Sequence, residues 1–388
     1  MHATSRPALA VIVAAILTAV SMTGSLLAGP AAAAPITTPS TPGTVLSQTA
    51  LPASALPSNV ARGYRLLYVT QDQSGRPVTS TGALYLPAGK APAGGWPVMS
   101  WAHGTSGISD ACSPSSRPGS YRDFYEPSLS VAMRAGYAVT ASDYPGLGSG
   151  GRAEYLGGRA EGRAVIDMIR AARAVDPSLS RRWVSTGHSQ GGHSALWAAQ
   201  LAPHYAPELP LMGTVAYAPA SNLEGVIPMM LPGVPDLGPF NGLTGLVLYI
   251  LDGLDHARPD VDVPSYLTPL GREWLVRARG VCVFNLRTAL GSVGPGSLIA
   301  KPMTDPRFTA ALKDYLGVPA GGYSAPIRIE QGISDTTVPL PLSVALDAQM
   351  RSAGTNVELR TYPGADHQGV QRAAQQDAFD TIAAYFRR

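Results

Sequence analysis

The run Gly187-His188-Ser189-Gln190-Gly191 sets a serine between glycines two residues before and two residues after it, the spacing of a G-x-S-x-G turn. A serine hydroxyl is a weak nucleophile until a base takes its proton, and that base needs an acid to hold its tautomer. In a chain with 42 glycines the pentapeptide alone is a weak signal. Its flanks strengthen it. Arg182 to Thr186 reads as a short strand and Ser194 to Leu201 as an Ala/Leu-rich helix, so Ser189 falls on a sharp strand-to-helix turn. Small neighbours at Gly187 and Gly191 permit such a strained backbone, and the following helix turns its positive end toward the serine. His188 and His193 flank the turn and read as packing or rim residues.

With the nucleophile on such an elbow, the acid and then the base should follow it along the chain. Beyond the first turn of the elbow helix stand His204, His256 and His367. His367 lies in Gly364-Ala365-Asp366-His367-Gln368-Gly369, directly after the last predicted strand, and is the expected base. The expected acid is Asp335, in Gly332-Ile333-Ser334-Asp335-Thr336-Thr337-Val338-Pro339, at the end of the preceding strand. Its structural alternative is a helix N-cap before Val338. Asp366 adjoins the base in sequence, and adjacent side chains in a loop rarely face one another. Asp305 has no strand before it. Two donors should meet the developing oxyanion, each worth roughly 100- to 1000-fold in rate: the N–H of Gln190, and that of Thr105 in His103-Gly104-Thr105, after the third predicted strand. His103 itself reads as structural. No metal or cofactor is expected. There is no H-E-x-x-H or C-x-x-C, Asp252, Asp255, Asp260 and Asp262 lack a Ca²⁺-loop pattern, and Gly146-Leu147-Gly148 is no dinucleotide fingerprint.

These residues need a frame. Eight β-rich runs (64–70, 80–86, 97–102, 137–142, 183–186, 213–217, 326–331 and 357–362) alternate with helical stretches such as Val165, Met168, Ile169 and Ala172 at i, i+3, i+4, i+7. That rhythm predicts an α/β fold with a mostly parallel sheet flanked by helices, entered through an antiparallel hairpin of the first two runs. Residues 221–323 break it. They are rich in Pro and Gly, carry the apolar run Leu243 to Leu251, and read as a cap between the sixth and seventh predicted strands. The full division is a signal peptide at 1–33, a flexible arm at 34–61, and a catalytic domain at 62–388 holding the 221–323 insertion.

The leader rests on Arg6, the apolar run Ala8 to Val20, and Ala31 to Ala34 after Gly29-Pro30. A retained anchor is its alternative, disfavoured by Gly24, Gly29 and Pro30. In an exported chain Cys112 and Cys282 read as one disulfide, which over 170 residues contributes up to about 5 kcal/mol on the loop-entropy model; two free buried thiols are the alternative. Composition narrows the function further. Hydrophobic residues make up 45% and charged ones 14%, which excludes a disordered interaction protein. A net charge of +3, with Lys only at 90, 301 and 313, excludes a nucleic-acid footprint.

With these residues in view, the chain resembles the bacterial secretory lipase family of the α/β-hydrolases. The resemblance is carried by His103-Gly104-Thr105-Ser106-Gly107, Asp110-Ala111-Cys112-Ser113-Pro114-Ser115, Asp143-Tyr144-Pro145-Gly146-Leu147-Gly148, the elbow with its extra Gly192, and the Asp335 and His367 segments. It implies a lid built from the insertion and carboxylic esters, often acylglycerols, as substrates. The expected function is a secreted carboxylic ester hydrolase working through an acyl-Ser189 intermediate, with an ester or lipid substrate, lipid-interface contact through the cap, and no membrane span in the mature chain. Acyl transfer or amide and peptide hydrolysis by the same triad is the alternative. A non-catalytic secreted binding protein on the same scaffold is a third reading.

Overall fold

The computed structural model describes residues 41–116, 122–234 and 241–388; the expected signal peptide and the first part of the arm lie outside them. In chain order the strands are β1 (Val45–Ala50), β2 (Arg62–Gln71), β3 (Pro77–Leu86), β4 (Trp96–Ala102), β5 (Ala138–Pro145), β6 (Leu179–His188), β7 (Leu211–Tyr217), β8 (Ile327–Gly332) and β9 (Val357–Tyr362). The helices are α1 (Arg122–Arg134), α2 (Gly158–Val175), α3 (Gln190–Tyr205), α4 (Leu223–Val226), α5 (Asn241–Ala257), α6 (Pro269–Arg277), α7 (Val283–Leu290), α8 (Pro295–Leu298), α9 (Pro306–Leu316), α10 (Leu340–Ser352), α11 (Val370–Ala373) and α12 (Gln375–Phe386).

Among the described residues the strands form one sheet in the order β1-β2-β3-β5-β4-β6-β7-β8-β9. β1, β2, β3 and β5 pair antiparallel, and every pairing from β5 through β9 is parallel. The β2–β3 hairpin turns at Gly75, whose φ is 86°, while the Asp72 carboxylate accepts the N–H groups of Ser74 and Arg76. In the parallel part, neighbouring residues face opposite cores. Val98, Ala138 and Trp183 pack with Val165, Met168 and Ile169 of α2, whereas Met99, Val139 and Val184 pack with Leu129 of α1 and Ile382 of α12. Both faces of these inner strands are therefore buried, which is why their runs are short, β-rich and largely uncharged. The architecture is the α/β-hydrolase fold.

One segment departs from expectation. Residues 45–50, expected within the flexible arm, form β1 and pair with β2 from Val45–Tyr68 to Ala50–Tyr64. β1 is an edge strand with every residue after the first exposed, so it carries none of the alternation by which a half-buried strand is recognised.

Between β7 and β8 run α4 to α9. They have a hydrophobic cluster of their own, with Leu248 and Leu251 of α5, Trp274 of α6, Leu286 of α7 and Phe308 of α9. Ile108, Leu147, Tyr155 and Leu156 of the main body join the same cluster. Two further ties, one covalent and one ionic, supplement it. Cys112 is disulfide-bonded to Cys282, and Arg152 binds Asp252 of α5 through Nε at 3.1 Å and Nη2 at 2.6 Å, with Arg279 Nε on the same carboxylate at 2.7 Å. No described helix is long and apolar enough to cross a membrane.

Candidate active site

β6 ends at His188 and α3 begins at Gln190, so Ser189 alone makes the reversal, at φ 58° and ψ −118°. A non-glycine residue there stores about 1–3 kcal/mol of strain and persists only if its surroundings hold it. Here they do: the Ser189 N–H donates to the Tyr217 carbonyl at 2.9 Å, and its own carbonyl accepts from His193 at 3.0 Å and Ala220 at 3.2 Å. The glycines are set by contact. A Cβ at Gly187 would stand 2.2 Å from the Gly191 carbonyl oxygen, one at Gly191 1.9 Å from that of Ala102, and one at Gly192 2.9 Å from that of Tyr217. The motif spacing is thus the footprint of a turn wedged against the ends of β4 and β7.

Ser189 Oγ lies 2.9 Å from His367 Nε2, and His367 Nδ1 lies 2.7 Å from Asp335 Oδ2. The N–H of Nδ1 must donate to the carboxylate, which leaves Nε2 to accept the serine proton. Asp335 Oδ1 takes the N–H groups of Thr337 and Val338, both at 2.8 Å, and Oδ2 takes Gln331 Nε2 at 3.1 Å. Burial works against its charge, but the bond to His367, that ring's charge and the two backbone donors outweigh it, and the pKa is lowered. The acid and base loops are stitched together, Ser334 N–H donating to the Ala365 carbonyl at 3.0 Å. A Cβ at Gly332 would sit 2.4 Å from that oxygen. Asp366 points elsewhere and accepts the N–H of Gly369 at 2.7 Å, while Asp305 caps α9.

Two residues do more than their sequence suggested. His188, read as packing or rim, is 4% exposed and sits 2.7 Å from the His367 carbonyl oxygen through Nε2. Burial and the neighbouring His367 push its pKa down to about 3, so it stays neutral and its Nε2–H holds the base loop. Gln331 was not singled out at all. Its buried amide bridges Asp335 and the Val338 carbonyl, with its own oxygen taken by the Ser343 hydroxyl at 2.6 Å. No local signal marked it, since Arg328 and Glu330 stand in the same run.

Both expected oxyanion residues lie beside the serine. Gln190 opens α3, where N–H groups have no acceptor within the helix, and its side chain donates to Glu161 at 2.7 Å. The Thr105 loop passes against the nucleophile: a Cβ at Gly104 would stand 3.3 Å from the His188 carbonyl oxygen and 3.8 Å from Ser189 Cβ. Ser189, His367 and Thr105 open into a cavity of about 350 Å³. Its other wall is mainly apolar, made by Leu243 and Leu246 of α5 with Val283, Phe284, Leu286 and Leu290 of α7, and Arg287 of α7 also lines it. Part of the 243–251 run therefore lines the site, while Leu248 to Leu251 are buried in the cluster of the insertion. Among the described lining residues none comes from 223–231, and Met229 in that stretch is 73% exposed.

A family model described as secretory lipase matches residues 124–291, and one described as prolyl oligopeptidase family matches residues 313–388. Lipase A of Moesziomyces aphidis is 26% identical over 359 residues, covering 85% of this chain and 74% of that protein. A probable inactive lipase of Mycobacterium tuberculosis is 25% identical over 81% of this chain and 72% of its own. Among solved structures, Candida antarctica lipase A in its closed state superposes with a TM-score of 0.75 at 22% identity, over 89% of this chain and 82% of that one. At that identity the superposition speaks for the fold.

Proposed function

The chain is an α/β-hydrolase of the secretory lipase kind, and from that premise we propose that it is exported and cleaves carboxylic esters through an acyl intermediate on Ser189. In this reading Ser189 Oγ attacks the ester carbonyl carbon while His367 Nε2 takes the hydroxyl proton. The carbonyl oxygen becomes an oxyanion facing the N–H groups of Gln190 and Thr105. Asp335 stabilises the imidazolium, which returns its proton to the departing alcohol. Water then repeats the sequence on the acyl-serine and frees the acid.

The observation that carries the reading is the unbroken contact from Ser189 through His367 to Asp335 at the base of a cavity with an apolar wall. A binding protein on this scaffold has no use for a strained serine in contact with a base. The prolyl oligopeptidase match spans the acid and base loops but neither α5 nor α7, which form the apolar wall, and so favours no peptide substrate. Export is supported by the apolar leader, the secretory character of the matching family and the single disulfide. The exposed Phe284 at the cavity gives the insertion an apolar contact for a lipid surface.

The test is Ser189→Ala, assayed on p-nitrophenyl esters from acetate to palmitate. Turnover should fall by at least about 10⁴-fold with unchanged melting temperature. Residual activity above a tenth of wild type would sink the assignment.

A further inference from the structure

Thr105 offers more to the site than its backbone. Its side chain is half-buried and lines the catalytic cavity together with Ser189 and His367. Its Oγ1 lies 2.6 Å from the hydroxyl of Tyr155. Tyr155 is 4% exposed and held on three sides. Its ring meets Tyr249 edge-on at 5.6 Å, its carbonyl accepts from the Tyr315 hydroxyl at 2.9 Å, and the next N–H, of Leu156, donates to Glu161 at 2.8 Å. That Glu161 carboxylate also holds the Gln190 side chain, so one buried bracket reaches both expected oxyanion donors.

Only one proton can lie between the two hydroxyls. A phenol is a far stronger acid than an alkyl alcohol, hence the better donor, and the alcohol oxygen is the better acceptor. Burial raises the Tyr155 pKa further, so this hydroxyl keeps its proton to give. With Tyr155 donating, the Thr105 hydrogen must point away from it. Among the described residues Thr105 Oγ1 has no other hydrogen-bond partner, and the space beside it is the cavity. A tetrahedral oxyanion has three lone pairs and the two backbone N–H groups fill two.

We propose that the Thr105 hydroxyl is a third oxyanion donor, aimed by Tyr155. The inference rests on Ser189 being the nucleophile, and it makes Thr105 a catalytic residue through its side chain and Tyr155 a positioning residue behind it. No other assigned role requires threonine there, since any residue at 105 supplies an N–H except proline.

The experiment compares an oxoester with its thionoester of the same chain length, because sulfur accepts hydrogen bonds poorly and gains little from the extra donor. Thr105→Val keeps the shape and the backbone N–H. It should lower kcat on the oxoester roughly 100-fold, reduce the oxo-to-thiono ratio of kcat/KM by more than about tenfold, and leave KM within about threefold. Thr105→Ser should restore the ratio, and Tyr155→Phe should lower it by an intermediate factor. A ratio that falls less than tenfold in Thr105→Val overturns the third donor, and a wild-type ratio in Tyr155→Phe overturns the aiming role. End-point labelling of Ser189 by a fluorophosphonate separates the two levels. An unlabelled wild-type enzyme overturns the nucleophile and this inference together, whereas a labelled Thr105→Val with equal losses on both esters overturns the inference alone.

Discussion

One wall of the cavity, with Ser189, Asp335 and His367, hangs from the ends of β6, β8 and β9; the opposite wall, with Leu243, Leu246 and Leu286, hangs from helices that share no strand with it. On the sheet side each proposed catalytic group is within a few residues of a strand end. Ser189 directly follows His188, Asp335 is three residues past Gly332, and His367 five past Tyr362. Backbone pairing across the parallel strands brings those ends together whatever the rest of the chain does. The insertion is held instead by a disulfide, the Arg152–Asp252–Arg279 cluster and a hydrophobic cluster shared with Tyr155 and Leu156. Chemistry is thus tied to local backbone, and fit to the substrate is tied to long-range contacts. The two should respond to different perturbations.

The largest effect should come from the sheet side. Asp335→Asn keeps the shape but replaces an acceptor facing Nδ1 with an amide that can stabilise the wrong tautomer. A fall in kcat of about 10³- to 10⁴-fold is expected, with little change in melting temperature. Asp366→Asn, which touches only the Gly369 N–H, should change kcat less than about threefold. A larger loss from Asp366→Asn than from Asp335→Asn would move the acid role to that residue.

Cutting the disulfide should act on the other wall. Replacing both Cys112 and Cys282 by Ser opens a closure of 170 residues and should cost up to about 5 kcal/mol of stability. The Val283 N–H still donates to the Ser106 carbonyl at 3.0 Å, so α7 should loosen rather than detach. Hydrogen exchange should quicken in 283–290 while 190–200 stays protected. Equal acceleration in both segments would show that the two walls are one cooperative unit.

This division also explains what could be read from the chain. Ser189, Asp335 and His367 were legible because a nucleophile elbow needs glycines at fixed spacing and because chain order restricts the acid and the base to loops after strands. The inner parallel strands β4 to β7 were legible because both their faces are largely buried, whereas β8 and β9, which carry Arg328, Glu330, Glu358 and Arg360, were legible from their β-rich alternation with helices. β1 was not, since only its pairing with β2 makes it a strand. Val283 to Leu290 were not, since a short helix reached through a disulfide carries no local sign of the cavity it faces. Gln331, Glu161 and Tyr155 were not, because each acts through a partner at least four residues away, Tyr155 through one fifty positions distant.

A smaller effect belongs to the seam between the walls, where Glu154 is 5% exposed beneath α5 and α9. Burial pushes its pKa up from 4.5 to about 7. The native state therefore holds this proton more tightly than the unfolded chain, and stability is lost as pH rises from about 4.5 through 7. The loss is on the order of 3 kcal/mol at most. Glu154→Gln removes the charge but keeps an acceptor for the Gln73 N–H, which now donates to Oε2 at 2.7 Å. Thermal melts should show the variant more stable than wild type at pH 8 and equal to it near pH 4.5. The opposite slope would mean the carboxylate is a stabilising partner in its charged form.

The smallest step is the one that grades substrates. Each acyl CH₂ that leaves water for the wall of Leu243, Leu246, Leu286 and Leu290 should gain up to about 0.8 kcal/mol, close to fourfold in kcat/KM, until the wall is covered. The rate should therefore rise from acetate towards medium acyl chains. Leu246→Asp puts a carboxylate on that wall, and it should flatten the rise while acetate, too short to reach it, is still cleaved. Leu248 is two residues along the same helix yet 1% exposed within the cluster of the insertion. Leu248→Asp should therefore lower the melting temperature by burying an unpaired charge, instead of changing the slope at constant stability. If Leu246→Asp kept the wild-type chain-length profile, and acetate were the best substrate, the apolar wall would be a structural cover, and the fit of substrate would have to come from the sheet side as the chemistry does.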